Sequence, residues 1–146
     1  MNDKKSEEVL AEVYRNSRLA LQSISDVLPE TQDEPLREEL RYQHDEYEKI
    51  GGKAVRLAED KNVALKGPGP IKKAMMWSGI KMNTLTDSSR SHIAEMMVRG
   101  TVMGITALKS SLGEMQAGAS DADIRALAEE MLALEETFEA RWKALI

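Results

Sequence analysis

The chain contains no cysteine. Disulfides, thiolate metal ligands and cysteine nucleophiles are therefore excluded. Aromatic residues make up only 4%, so a core has to be built from Leu, Ile, Val, Ala and Met. No apolar run approaches the ~20 residues that a membrane-spanning helix needs. The first residues, from Met1 to Glu8, lack the apolar stretch of a signal peptide. A cytoplasmic protein without a membrane partner is expected. Basic residues are not gathered into a stripe: Lys66, Lys72, Lys73 and Lys81 are sparse, and the net charge is −5. Neutralising a phosphate backbone needs such a stripe, so no nucleic-acid partner is expected. No phosphate-binding glycine loop, nucleophile elbow or Ser-His-Asp ordering is visible, which favours a protein without catalytic chemistry of its own.

What is present is helical period. The 146 residues suffice for one domain with a continuous core. Hydrophobic residues at 42% and charged residues at 31% suit a folded, soluble chain. Four long segments carry apolar residues three and four apart. They predict helices at about 6–28, 34–62, 80–115 and 120–145, with a short extra helix at 71–77. Ser6 is expected to cap the first, Asp33 the second with Pro35 in its first turn, and Ser120 the fourth. Pro29 ends the first segment. Gly51 and Gly52 fall inside the second, where a kink or a close helix approach is expected. The run from Lys66 to Pro70, Lys-Gly-Pro-Gly-Pro, is the clearest break. No alternating strand pattern occurs, so the fold class is all-α, a four-helix bundle.

Polar residues interrupt the apolar stripes near their middles: Ser17 in the first segment, Gln43 and Tyr47 in the second, His92 in the third and Glu135 in the fourth. They predict a polar layer of Ser17, Gln43, Tyr47 and His92, with Glu135 a further member, satisfied by mutual hydrogen bonds. The alternative is a single divalent ion, Zn, Mn or Fe, held by His92, Glu95 and Glu135 with His44 as a fourth ligand. His92 and Glu95 are one turn apart, and an imidazole with carboxylates suits these ions. Seven of the nine methionines lie between Met75 and Met115. Met82, Met96 and Met103, with Gly100 and Gly104, define a candidate apolar groove or interface on the third segment, and homo-oligomer formation follows as an expectation.

The four segments with one long middle connection, and the stretch Ile80-Lys-Met-Asn-Thr-Leu-Thr-Asp-Ser-Ser-Arg-Ser-His-Ile-Ala-Glu-Met-Met, resemble the ferritin-like bundles and short bacterial members of that group. The resemblance implies a ferritin-like four-helix bundle, to which the sequence pattern adds the short extra helix before helix 3. Di-iron members place one Glu on each of two helices and Glu-x-x-His on the other two. Here the third segment reads His92-x-x-Glu95, the reverse order, and the fourth has Glu135 without a histidine. The full di-iron ligand set is missing, so ferroxidase activity is not expected.

Overall fold

The computed structural model describes residues 4–66, 87–115 and 121–146. Among them, all regular structure is helical: α1 (Lys4–Val27), a 3-10 turn (Leu28–Glu30), α2 (Glu34–Asp60), α3 (Arg90–Glu114) and α4 (Ala122–Lys143). The expected short helix at 71–77 lies outside the described residues. None of the described helices is long and apolar enough to cross a membrane.

Local chemistry sets most helix ends. Asp33 accepts a hydrogen bond from the Leu36 amide at 3.0 Å and caps α2, with Pro35 in the first turn, where its missing N–H costs nothing. The far end of α2 closes on Asn62, whose φ of 55° is the left-handed conformation that asparagine tolerates. The Val63 amide then donates back to the Ala58 carbonyl at 2.8 Å. Asp121, not Ser120, caps α4, accepting from the amides of Asp123 and Ile124. Ser6 is no cap either. It is buried inside α1, and its Oγ accepts from the Asp121 amide at 3.1 Å.

The third helix differs most from the sequence reading. Residues 87–89 are not helical, and α3 starts at Arg90 with Ser89 as its N-cap. Ser89 and His92 therefore sit at the beginning of a helix, not halfway along one. The buried face of α3 is Ile93, Ala94, Met96, Met97, Thr101, Ile105 and Leu108. Of the residues of this segment expected on the inner side, Met96 is buried, whereas His92 and Gly100 are only partly covered and Met103 is 69% exposed.

Contacts at the helix ends fix the direction of each helix. Ser6 at the start of α1, Lys61 after α2 and Asp121 at the start of α4 meet at one end; Lys61 Nζ lies 2.6 Å from Asp121 Oδ2. At the other end Arg90, starting α3, pairs with Asp33, starting α2, through two bonds of 3.0 Å from Nε. So α1 and α4 run one way, α2 and α3 the other. The packed sides are α1–α2, α1–α3, α3–α4 and α2–α4, every one antiparallel, and α1 also meets α4 across the middle. The chain leaves α2 at one end and enters α3 at the opposite end, a separation of roughly 37 Å for a helix of this length.

Within the bundle the core is continuous from Val9, Leu36 and Ile93 through Ile124, Phe138 and Trp142. Fully burying a residue such as Phe138 or Ile124 contributes about 1.5–3 kcal/mol each. The α2 helix is unbroken at Gly51 and Gly52. Gly51 is instead a close approach: a Cβ there would stand 2.9 Å from Ser17 Oγ on α1, whereas Gly52 faces open space.

Candidate functional site

The chemistry at the middle of the bundle gathers on Glu135, which the period of α4 carries inward with Met131, Phe138 and Trp142. The residue is 2% exposed. Its Oε2 accepts from the Tyr47 hydroxyl of α2 at 3.0 Å. Phe138, one turn further along α4, packs edge-to-face on the Tyr47 ring at 5.3 Å. On the α3 side the carboxylate rests on Gly104, where a Cβ would stand 2.8 Å from Oε2. Asn16 of α1 closes the centre, its Nδ2 donating to the Gly104 carbonyl at 3.0 Å. Thus all four helices contribute to one small polar centre.

Burial dominates the electrostatics here. It pushes the Glu135 carboxyl up from its ordinary 4.5 to about 7, against the Tyr47 hydrogen bond, which lowers it. The charge of Glu12, on α1, adds to the upward push. The Tyr47 phenol is raised well above its usual value, by burial first and by Glu135 second, so it remains a donor. Two oxygens in this region, Glu135 Oε1 and Glu12 Oε2, are shielded from solvent and have no hydrogen-bond partner.

The other residues singled out in the sequence lie apart from this centre. Ser17 is buried and donates to the Tyr14 carbonyl at 2.7 Å, one turn back on its own helix. Gln43 is buried but donates to Glu39 at 2.9 Å, and Glu39 in turn forms a two-pronged pair with Arg141 at 2.8 Å. His92 is 23% exposed at the first turn of α3, with Nδ1 3.9 Å from Asp87 Oδ2. Of the predicted layer, Tyr47 alone bonds Glu135; Ser17 and Gln43 are satisfied on their own helices, and His92 sits near a helix end.

The metal set is likewise not assembled. Glu95 points to solvent, Glu135 is at the centre, and His44 lies on the outer side of α2. Among the described residues, the group whose ligand atoms come within 4.8 Å of one another is His44, Asp45 and Glu48. Its ring Nδ1 is 3.5 Å from a carboxylate oxygen of each neighbour. The apolar groove does not form as drawn: Met96 is buried, Met103 is exposed, and Gly100 has open space above it. Met82 lies outside the described residues. An open groove of about 400 Å³ runs instead between α2 and α4, bordered by Ile50, Arg56 and Leu134. Lys53 bridges to Glu130 there at 2.6 Å.

Sequence reasoning missed Glu12 and Asn16. Asn16 follows Val13 by three and Val9 by seven, the spacing of a buried face, and Glu12 is four before Asn16. That spacing was the available signal.

Among the described residues, the fold and centre define a bundle of four helices closed around a carboxylate–phenol pair. No family model, curated protein or solved structure matches the chain.

Proposed function

We propose that the chain is a non-catalytic bundle of ferritin-like topology whose centre is a closed polar contact instead of a metal centre. The directions of the helix ends support the topology: α2 and α3 are parallel, with one long connection between them, as ferritin-like folds require. The observation that carries the reading is the Glu135–Tyr47 bond. A dinuclear iron centre needs several carboxylates and imidazoles turned to one point. Here the residue three after Glu135 is Phe138, stacked on Tyr47, and α3 offers Gly104 at the same level. Both histidines lie elsewhere, so the donor set does not fit such a group.

In this reading the protein acts as a scaffold and associates through the outer side of α3. Val102 and Met103 are exposed there. Sedimentation of the full chain at micromolar concentration is expected to show a dimer or larger species that Met103→Lys disperses. A strictly monomeric wild type removes the association. For the centre, the untagged protein incubated aerobically with Fe(II) is expected to oxidise it no faster than buffer does. Rapid oxidation abolished by Glu135→Ala contradicts the reading.

A second reading is favoured by the His44–Asp45–Glu48 group: one divalent cation on the outer face of α2. Elemental analysis of untagged wild type and His44→Ala decides it. Stoichiometric metal in the first and none in the second establishes that site; equal contents remove it.

A further inference from the structure

The outer side of α3 and the groove between α2 and α4 are opposite in shape. Arg99, Val102, Met103 and Thr106 are all exposed and stand at i, i+3, i+4 and i+7, the spacing of one helix face. Val102 and Met103, 38% and 69% exposed, flank the crest of that face on either side. The groove has Ile50 and Leu134 along its floor, and the small Ala133 keeps it wide. It is open along its length, whereas a small-ligand pocket covers most of its ligand. A helix ridge has the matching form. We infer that the ridge of Val102 and Met103 on one copy seats in the α2–α4 groove of a second copy, with α3 lying parallel to the second copy's α4. The inference rests on the reading that the chain associates through α3.

The order of charges fixes the partner and the direction. Among the described residues, Glu95, Arg99 and Lys109 on α3 and Arg56 on the groove have no ion-pair partner. Glu130 is half exposed beside Lys53, and Glu46 stands 3.7 Å from Lys49, so both acids keep free acceptor positions. The Lys53–Glu130 contact sets the level of the two walls and places Ile50 beside Ala133 and Leu134. With Met103 set over Leu134, Arg99 and Glu130 each lie four residues earlier, about 6 Å along parallel helices. Glu95 lies about 12 Å the same way, and Arg56, beyond Ile50 on the antiparallel α2, about 9 Å. In the other direction Lys109 stands about 9 Å from the centre and Glu46 about 6 Å. Three pairs of opposite charge therefore meet within side-chain reach around an apolar centre. Reversing α3 sets Lys109 beside Arg56 instead. Two copies meeting α3 to α3 leave both grooves uncovered. The head-to-tail contact leaves a ridge at one end and a groove at the other, so assembly passes beyond the dimer.

The test mixes two variants of the full chain, each shown to be folded by circular dichroism, and reads mass by sedimentation and native mass spectrometry. Met103→Lys spoils the ridge and keeps the groove. Ala133→Lys, at an exposed position of α4, plugs the groove and keeps the ridge. Expected are species larger than a dimer for wild type, monomers for each variant alone, and a one-to-one pair for the mixture, because one intact ridge then meets one intact groove. On a single chain, Glu95→Arg is expected to shift assembly to higher concentration, and adding Arg56→Glu to return it. A wild type that stops at the dimer, or an Ala133→Lys variant that assembles like wild type, overturns the groove and leaves association through α3 standing. A mixture that stays monomeric overturns it as well, as does a double charge variant no better than Glu95→Arg. A strictly monomeric wild type removes both this contact and the association through α3; if its mass includes a bound small molecule, the groove belongs to that ligand.

Discussion

Glu135 and Gly104 depend on each other. A carboxylate enters this bundle because the facing helix has no Cβ at that level. Gly104→Ala is expected to lower stability by roughly 1–3 kcal/mol, since the new methyl displaces a carboxylate tied to Tyr47. Gly100→Ala, one turn earlier with nothing within 4 Å, is expected to raise stability by up to about 1 kcal/mol through helix propensity. Urea denaturation of the two variants checks this, and equal effects of the same sign would refute the packing role. The sequence made Glu135 and Tyr47 legible as inward-facing polar residues, because both interrupt long, regular apolar stripes. Gly104 was legible only as one half of a small-residue pair. Which glycine of the pair packs depends on the rotation of α3, and local spacing does not encode that rotation.

The helices illustrate the same limit. Both α2 and α4 have narrow apolar faces, and their buried residues, from Leu36 to Ala58 and from Ile124 to Trp142, follow the sequence period. On α3 the apolar arc is wide. Ile93, Met97 and Ile105 compete with His92, Gly100 and Met103, and the period alone cannot choose between them. The choice is made by packing against α1 and α4, which only the fold supplies. The start of α3 was obscured in a similar way: the predicted helix from about 80 to 115 runs straight across Ser89, yet its hydroxyl accepts from the His92 amide at 3.3 Å and begins the helix there. Caps have measurable weight at this scale. Asp121 both caps α4 and pairs with Lys61. Asp121→Ala is expected to lower stability by roughly 1–2 kcal/mol. Asp121→Asn keeps a good cap, loses only the charge and should cost clearly less. Thermal unfolding of the pair separates the two roles; identical losses would mean that the cap contributes nothing.

For the whole molecule, the buried acid and the acids at the bundle ends act in opposite directions with pH. Arg90 beside Asp33 holds that carboxyl below its usual value, and Asp121 is lowered by Lys61 and backbone amides despite opposing burial. Their stabilisation is present above pH 3.8 and is lost as pH falls through the lowered values. Glu135 works in reverse. Its folded value of about 7 exceeds the ordinary 4.5, so the folded state holds the proton more tightly. That contribution is complete below pH 4.5 and is lost as pH rises to about 7. At about 1.4 kcal/mol per pH unit the loss is on the order of 3 kcal/mol. The decisive measurement is chemical denaturation of wild type and Glu135→Gln at steps between pH 4.5 and 8. Wild type should lose stability relative to the variant by that order across the range, most of it before pH 7. A stability difference that stays constant with pH would contradict a neutral acid at the heart of the bundle.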